Sequence, residues 1–178
     1  GEEEEDGEQL LDFLAEVEFD HLGTYRYSPE ADTPAASLPD RPDPETVADS
    51  EARVLDLQHE ISGRRLAARL GEVWEVVIDQ VLAPTDPDDR ARAHELGDAL
   101  LEGRWSGPDA RERARRVLDG HGREGAAERL ALGRSVHFGY DLDGTVVLPV
   151  VADAAAGDWL EATFVGATPW DVWAEPVR

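Results

Sequence analysis

Cysteine is absent from the 178 residues, and with it go a disulfide framework, a thiolate metal site and a cysteine nucleophile. The redox compartment is therefore not written in the chain. Methionine, lysine and asparagine are missing too, a set that a coding bias toward Ala, Arg, Gly and Asp explains. No apolar run is long enough to span a bilayer. The N-terminal stretch is acidic, the reverse of the basic start of a signal peptide. The chain opens on Gly1 without an initiator methionine, so it is expected to be a processed or cut piece.

What is present is acid. The net charge is −23, a surface that repels phosphate backbones and attracts basic partners. It is uneven: residues 81–134 hold ten arginines against eleven acids, and the rest of the chain holds seven against 29. The length suits one sizeable domain or a small one with appendages.

Residues 1–6, GEEEED, precede an amphipathic run in which Leu10, Phe13, Leu14 and Val17 share one helical face. Acids in a first turn favour the helix dipole. Residues 19–27 read as a strand that Ser28-Pro29 stops. Pro34, Pro39, Pro42 and Pro44 make residues 33–43 an extended linker. Asp43-Pro44-Glu45 starts a helix expected to reach about Leu70, with Val47, Val54, Leu57 and Ile61 on one face and Gly71 at its end. Strands are expected at 73–79, 135–140, 145–150, 159–165 and 170–177, with Asp143-Gly144 as a hairpin signal. Five short strands suggest a small antiparallel barrel, with Leu160, Ala162 and Phe164 inward and Trp159, Glu161 and Thr163 outward. Between the first two strands, Asp86-Pro87 and Gly107-Pro108-Asp109 each start a helix, and residues 126–132 read as a third, shorter one. This insertion, about 81–132, is expected to be a self-contained decoration.

Residues 27–35, YSPEADTPA, resemble the Y-S-x-E-x-G-T-x-A run that closes the catalytic domain of radical S-adenosylmethionine methylthiotransferases. Other matches follow the same order. Residues 1–13 are similar to the family's G-E-T-E-E-D-F-x-x-L-x-x-F, with Glu3 and Gly7 departing, and Phe19-Asp20-His21-Leu22-Gly23 is similar to its F-D-x-x-G. Leu57-Gln58-His59-Glu60-Ile61-Ser62 resembles L-Q-x-E-I-S, and Gly133-Arg134-Ser135, Asp143-Gly144 and Gly157-Asp158-Trp159 resemble the G-R-S, D-G and G-D-F of the family's TRAM barrel. Asp32 stands where the family has Gly, and residues 139–142 replace its A-P-E-I. The resemblance implies an α+β chain: a partial βα unit from the radical SAM barrel (residues 1–43), a linker helix (44–70), and a five-stranded antiparallel, OB-like TRAM barrel (71–178) carrying the helical insertion. It also implies a cytoplasmic enzyme whose reaction uses two 4Fe-4S clusters and S-adenosyl-L-methionine. The clusters need cysteines, so this chain alone is expected to be inactive and to require the remaining, N-terminal part of the enzyme.

One branch of the family modifies an aspartate of a small-subunit ribosomal protein, the other an adenosine in tRNA. The tRNA branch tends to carry Arg after Y-S-P, whereas this chain has Glu30. The barrel proper, residues 71–80 and 133–178, holds ten acids against Arg134 and Arg178, and so offers phosphates almost no cations. Both points favour a basic ribosomal protein over nucleic acid. An RNA-binding barrel and a non-enzymatic acidic interaction module are the alternatives. The substrate-binding candidates are Tyr27, Ser28, Glu30, Asp141, Asp143, Asp158, Glu161 and Trp173, with no catalytic, cofactor or metal residue in the chain. A turn-stabilising role competes for Tyr27, Ser28 and Glu30, and barrel packing competes for Trp159, Trp170 and Trp173. His21, His59, His94, His121 and His137 lack metal-site spacing. No serine has nucleophile-elbow context, and residues 120–125 are not a phosphate loop. Arg111, Arg113, Arg115 and Arg116 alternate with acids, as on a solvated helix.

Overall fold

The computed structural model describes residues 3–30, 33–37, 41–121, 129–138, 144–151 and 153–177. The candidates Asp141 and Asp143, and the departures at Asp32 and 139–142, lie outside them. The chain forms two compact units, Gly1–Ser62 and Gly63–Arg178. Among the described residues no helix is long and apolar enough to cross a membrane.

The first unit holds α1 (Glu4–Val17), a 3₁₀ turn (Pro34–Ser37) and most of α2 (Pro44–Ala68). A capping box joins Glu3 and Asp6 at the start of α1. Asp43 caps α2: its carboxylate accepts from the Glu45 and Thr46 backbone N–H groups, both at 3.0 Å, and from the Thr46 hydroxyl at 2.8 Å. The bond to the Thr46 backbone leads the causes holding that carboxyl below its ordinary value. Thr33 takes the place of a linker residue by capping the 3₁₀ turn, accepting from Ala36 N at 3.3 Å, so residues 34–37 coil rather than extend. The strand expected at 19–27 does not form. That segment takes neither helix nor strand conformation and has no sheet neighbour among the described residues; a strand needs a neighbour to satisfy its ladder groups.

The second unit is a barrel with an added layer. Its strands are β1 (Val73–Val81), β2 (Arg104–Trp105), β3 (Arg129–Arg134), β4 (Val146–Val150), β5 (Trp159–Ala167) and β6 (Val172–Pro176). The order β1-β3-β4-β6-β5, closed by a β1–β5 pairing, makes a ring of five, with β2 outside on the far end of β5. The expectation of an all-antiparallel barrel fails at one seam, where β4 and β6 run parallel with Val146 opposite Val172. The reason is parity. Strand direction reverses at every antiparallel neighbour, so a closed ring with an odd number of strands must contain a parallel pair.

That seam is sewn by side chains. The Asp171 carboxylate accepts from Thr145 N at 2.8 Å, and Val172 N donates to Thr145 O at 3.0 Å. Thr168 holds the turn before it, its hydroxyl accepting from Asp171 N at 2.8 Å. Gly144 is needed here for closeness: a Cβ on it would lie 1.5 Å from Trp170 O. Burial pushes the Asp171 carboxyl above its ordinary value, against the opposing pull of the Thr145 N–H and Arg92.

Inside the barrel the alternation on β5 holds. Ala162 and Phe164 are buried and Leu160 packs against them, whereas Trp159 and Glu161 face out. β4 is buried along its whole length: Val146, Leu148 and Val150 enter the barrel core, and Val147 enters a second core outside it. That second core joins Leu130, Leu132, Val147, Val165 and Trp173 of the barrel to Ala93, Leu100, Ala110, Ala114 and Leu118 of two helices, α3 (Pro87–Glu102) and α4 (Pro108–Gly120). The insertion is thus not self-contained. Its β2 also pairs with β5, where Gly166 lets the Trp105 ring lie against the backbone. The starts at Asp86-Pro87 and Pro108 are as expected, with Asp86 accepting from Asp88 N and Asp89 N. Residues 129–132, expected as helix, are strand, and Ser135 to Phe138, expected as strand, form a turn.

Two outcomes follow from these packing contacts. Replacing residues 83–128 by a short linker uncovers Trp173 and its neighbours, so thermal scans should lose the cooperative barrel transition; a retained sharp transition would show that the barrel stands alone. Trp173→Ala in the intact chain should cost about 3–5 kcal/mol. For Asp171, a raised folded-state value means its protonated form favours folding. That contribution is complete below the ordinary aspartate value and is lost as pH rises through the raised one. Asp171→Asn keeps an acceptor for Thr145 N and carries no charge, so its melting temperature should exceed wild type at neutral pH, the gap closing on acidification. Asp171→Ala orphans the Thr145 N–H and should cost about 1–3 kcal/mol.

Candidate substrate-binding surfaces

In the first unit the candidates sit at the end of an arm, residues 19–30, that includes the segment without sheet partners. α2 straps this arm down with side chains. Gln58 Nε2 donates to Phe19 O at 2.8 Å, Ser62 Oγ donates to Asp20 O at 2.7 Å, and Gln58 Nε2 also donates to Ser62 Oγ at 2.9 Å. Further along, Glu51 accepts from the Thr24 hydroxyl at 3.0 Å and from Arg26 Nε at 2.7 Å. The Arg26 bond, followed by that of Thr24, holds the Glu51 carboxyl below its ordinary range. Beyond the straps the arm opens to solvent: Tyr25 is 94% exposed, and Tyr27, Ser28 and Glu30 are exposed. Arg41 stands 5.8 Å over the Tyr27 ring. On α1, only Leu14 of the apolar face is buried; Leu10, Phe13 and Val17 are exposed, and Phe13 lies 6.1 Å from Phe19. This row of apolar side chains stays about half exposed among the described residues.

On the barrel, Asp158 and Glu161 are exposed on the outer surface at the start of β5. Asp158 also serves its own loop, accepting from Ala155 N at 2.9 Å, where Gly157 has φ +93°. Glu161 stands directly opposite Glu75 on β1, and Trp159 opposite Val77. Like charges facing across a ladder oppose pairing, and a basic partner relieves that repulsion. Trp159 is 66% exposed, a ring against which an arginine or lysine can lie. Trp173 is elsewhere: it is 1% exposed in the core under α3 and α4, 6.4 Å from Trp105. It cannot meet a substrate there, because the insertion covers the face it occupies.

That covered face matters for ligand class. OB-type barrels take oligonucleotides on the outer face of their second and third strands and the adjoining loops. Here those strands are β3 and β4, and their outward Leu130, Leu132 and Val147 are buried under the chain's own helices. Sequence reading did not find this, since an outer strand face and a helix stripe both appear only as apolar residues. It also missed Gln58 and Ser62 as straps, although it singled out the run that contains them.

Cysteine is absent, and no group of three or more His, Asp or Glu among the described residues could hold an ion. His121 is pushed below its ordinary value by burial, with the charge of His94 adding to the effect. An iron–sulfur cluster does not fit here.

No family model matches the chain. Relatives do. It is 34% identical over 98% of its length to the ribosomal protein uS12 methylthiotransferase RimO of Alteromonas mediterranea, and 28% identical over 98% to that of Methylococcus capsulatus. The protein of the same name from Azoarcus sp. is 39% identical over 56% of the chain. The match is to the C-terminal portion of these proteins. The chain spans 27% of the length of the first relative and 30% of the second.

Proposed function

Because the chain belongs with the C-terminal portion of the ribosomal protein uS12 methylthiotransferases, we propose that it works as that portion of an enzyme that methylthiolates an aspartate of a small-subunit ribosomal protein. The acidic barrel recruits the basic substrate. Each unit offers its own candidate surface: Tyr27, Ser28 and Glu30 on the arm, and, on the barrel unit, Asp158 and Glu161, with Asp141 and Asp143 proposed from sequence. Trp159 takes the aromatic role first given to Trp173. The observation that carries this reading is the burial of the outer faces of β3 and β4 beneath α3 and α4. With the oligonucleotide face of an OB-type barrel filled, the exposed remainder is the acidic surface around the facing Glu75 and Glu161.

The two 4Fe-4S clusters and S-adenosyl-L-methionine belong, on this reading, to the part of the enzyme outside this chain, which supplies the cysteines. That part would seat on the half-exposed apolar row of Leu10, Phe13 and Val17. The isolated chain transfers nothing. A cytoplasmic setting follows from a ribosomal substrate.

Titrating the chain against uS12 and against tRNA at two salt concentrations tests the proposal. Binding to uS12 that weakens as salt rises, with no tRNA binding, is expected; tRNA binding without uS12 binding overturns it. Glu161→Gln should weaken uS12 binding a few-fold and flatten its salt dependence. It should also raise the barrel's melting temperature slightly by ending the repulsion with Glu75.

A further inference from the structure

We propose that Gln58 and Ser62 are positioning residues: they fix the register of the arm, residues 19–30, and so the face on which Tyr27, Ser28 and Glu30 appear. The proposal rests on the reading of that arm as substrate-facing.

The geometry starts from helical spacing. Glu51, Gln58 and Ser62 are seven and four residues apart, which puts them on one side of α2. Gln58 and Ser62 hold the carbonyls of Phe19 and Asp20, while Glu51 holds the side chains of Thr24 and Arg26. The arm therefore runs antiparallel to α2, tied at both ends of the shared stretch. A slip of one residue along the helix would move every later side chain of the arm to a new position, as a register slip does in a strand. A backbone carbonyl held at a fixed site prevents that slip, and Gln58 and Ser62 hold two successive carbonyls in this way.

Stability alone does not call for these residue types. The carbonyls of Phe19 and Asp20 only accept, so the nitrogen of the Gln58 amide must face them. Its Oε1 is then buried with no partner, although the residue is only 1% exposed. An orphaned acceptor is unfavourable, whereas an apolar side chain of similar size would fill the space without it. At Ser62 alanine is the better helix former. Glutamine and serine supply what those replacements lack, a directional hold on two carbonyls.

Trypsin cleavage after Arg26, in the intact chain, reads the hold directly. Ser62→Ala with Gln58→Leu should speed that cut about tenfold, as expected for the loss of about one net hydrogen bond's worth of local stability. The melting temperature of the barrel should stay unchanged. Ser62→Thr keeps the hydroxyl donor and should be cut like wild type. An unchanged rate in the double variant overturns the proposal, and so does a faster cut that merely tracks a lower melting temperature. In the enzyme that carries this chain with its cluster-binding part, the double variant should lower kcat toward uS12 while leaving the KM for S-adenosyl-L-methionine unchanged. Normal turnover despite the faster cut would also overturn the positioning role. A wild-type enzyme that leaves uS12 unmodified would instead count against the proposed function, and the cleavage ratios would still decide the hold.

Discussion

Closing a ring of five strands forces one parallel seam, and the barrel is arranged around meeting that requirement. Parallel neighbours cannot be joined by a tight hairpin, so β4 and β6 reach each other only through the chain that forms β5. The turn at Thr168 to Asp171 then has to land beside Thr145. It does so by a side-chain carboxylate on a backbone N–H and by a glycine that leaves room for the turn's carbonyl. The junction keeps a carboxylate partly out of water, and that is the cost of fastening two strands that no hairpin connects.

The first unit meets a related problem differently. Residues 19–27 have the composition of a strand but no sheet to join. The carbonyls of Phe19 and Asp20 are met instead by Gln58 and Ser62, and the side chains of Thr24 and Arg26 by Glu51. Helix side chains thereby do for two carbonyls what a neighbouring strand would do for a whole edge.

Much of this was legible in the sequence where local chemistry decides. Asp43-Pro44, Asp86-Pro87 and Gly107-Pro108 marked helix starts that the structure keeps, and Gly71, with φ +95°, follows the end of α2 as expected. β1, β4, β5 and β6 appeared close to their expected positions. What failed was decided by long-range packing. Arg129 to Arg134 is rich in Leu and Ala, good helix formers, yet burial on both sides makes it a strand. The same cause hid the fate of Trp173, since nothing near it in sequence says that helices from residues 87–120 will cover it. Of the proposed site, charge and motif single out Glu30, Asp158 and Glu161, and the structure leaves all three exposed. The strapping pair was not assigned a role, because a buried Gln and Ser have no signature apart from the backbone they hold.

The covering of β3, β4 and β6 by α3 and α4 also has a consequence in time. A ribosome releases the chain from its N-terminus, and α3 and α4 precede those strands. When Leu130, Val147 and Trp173 emerge, the surface that will cover them has already left the exit tunnel. An apolar strand face that emerged first would wait in water, exposed to pairing with other chains. Placing the cover in the first long connection of the barrel, rather than at its end, shortens that wait. Position in the gene thus protects the nascent barrel as much as the finished packing protects the folded one.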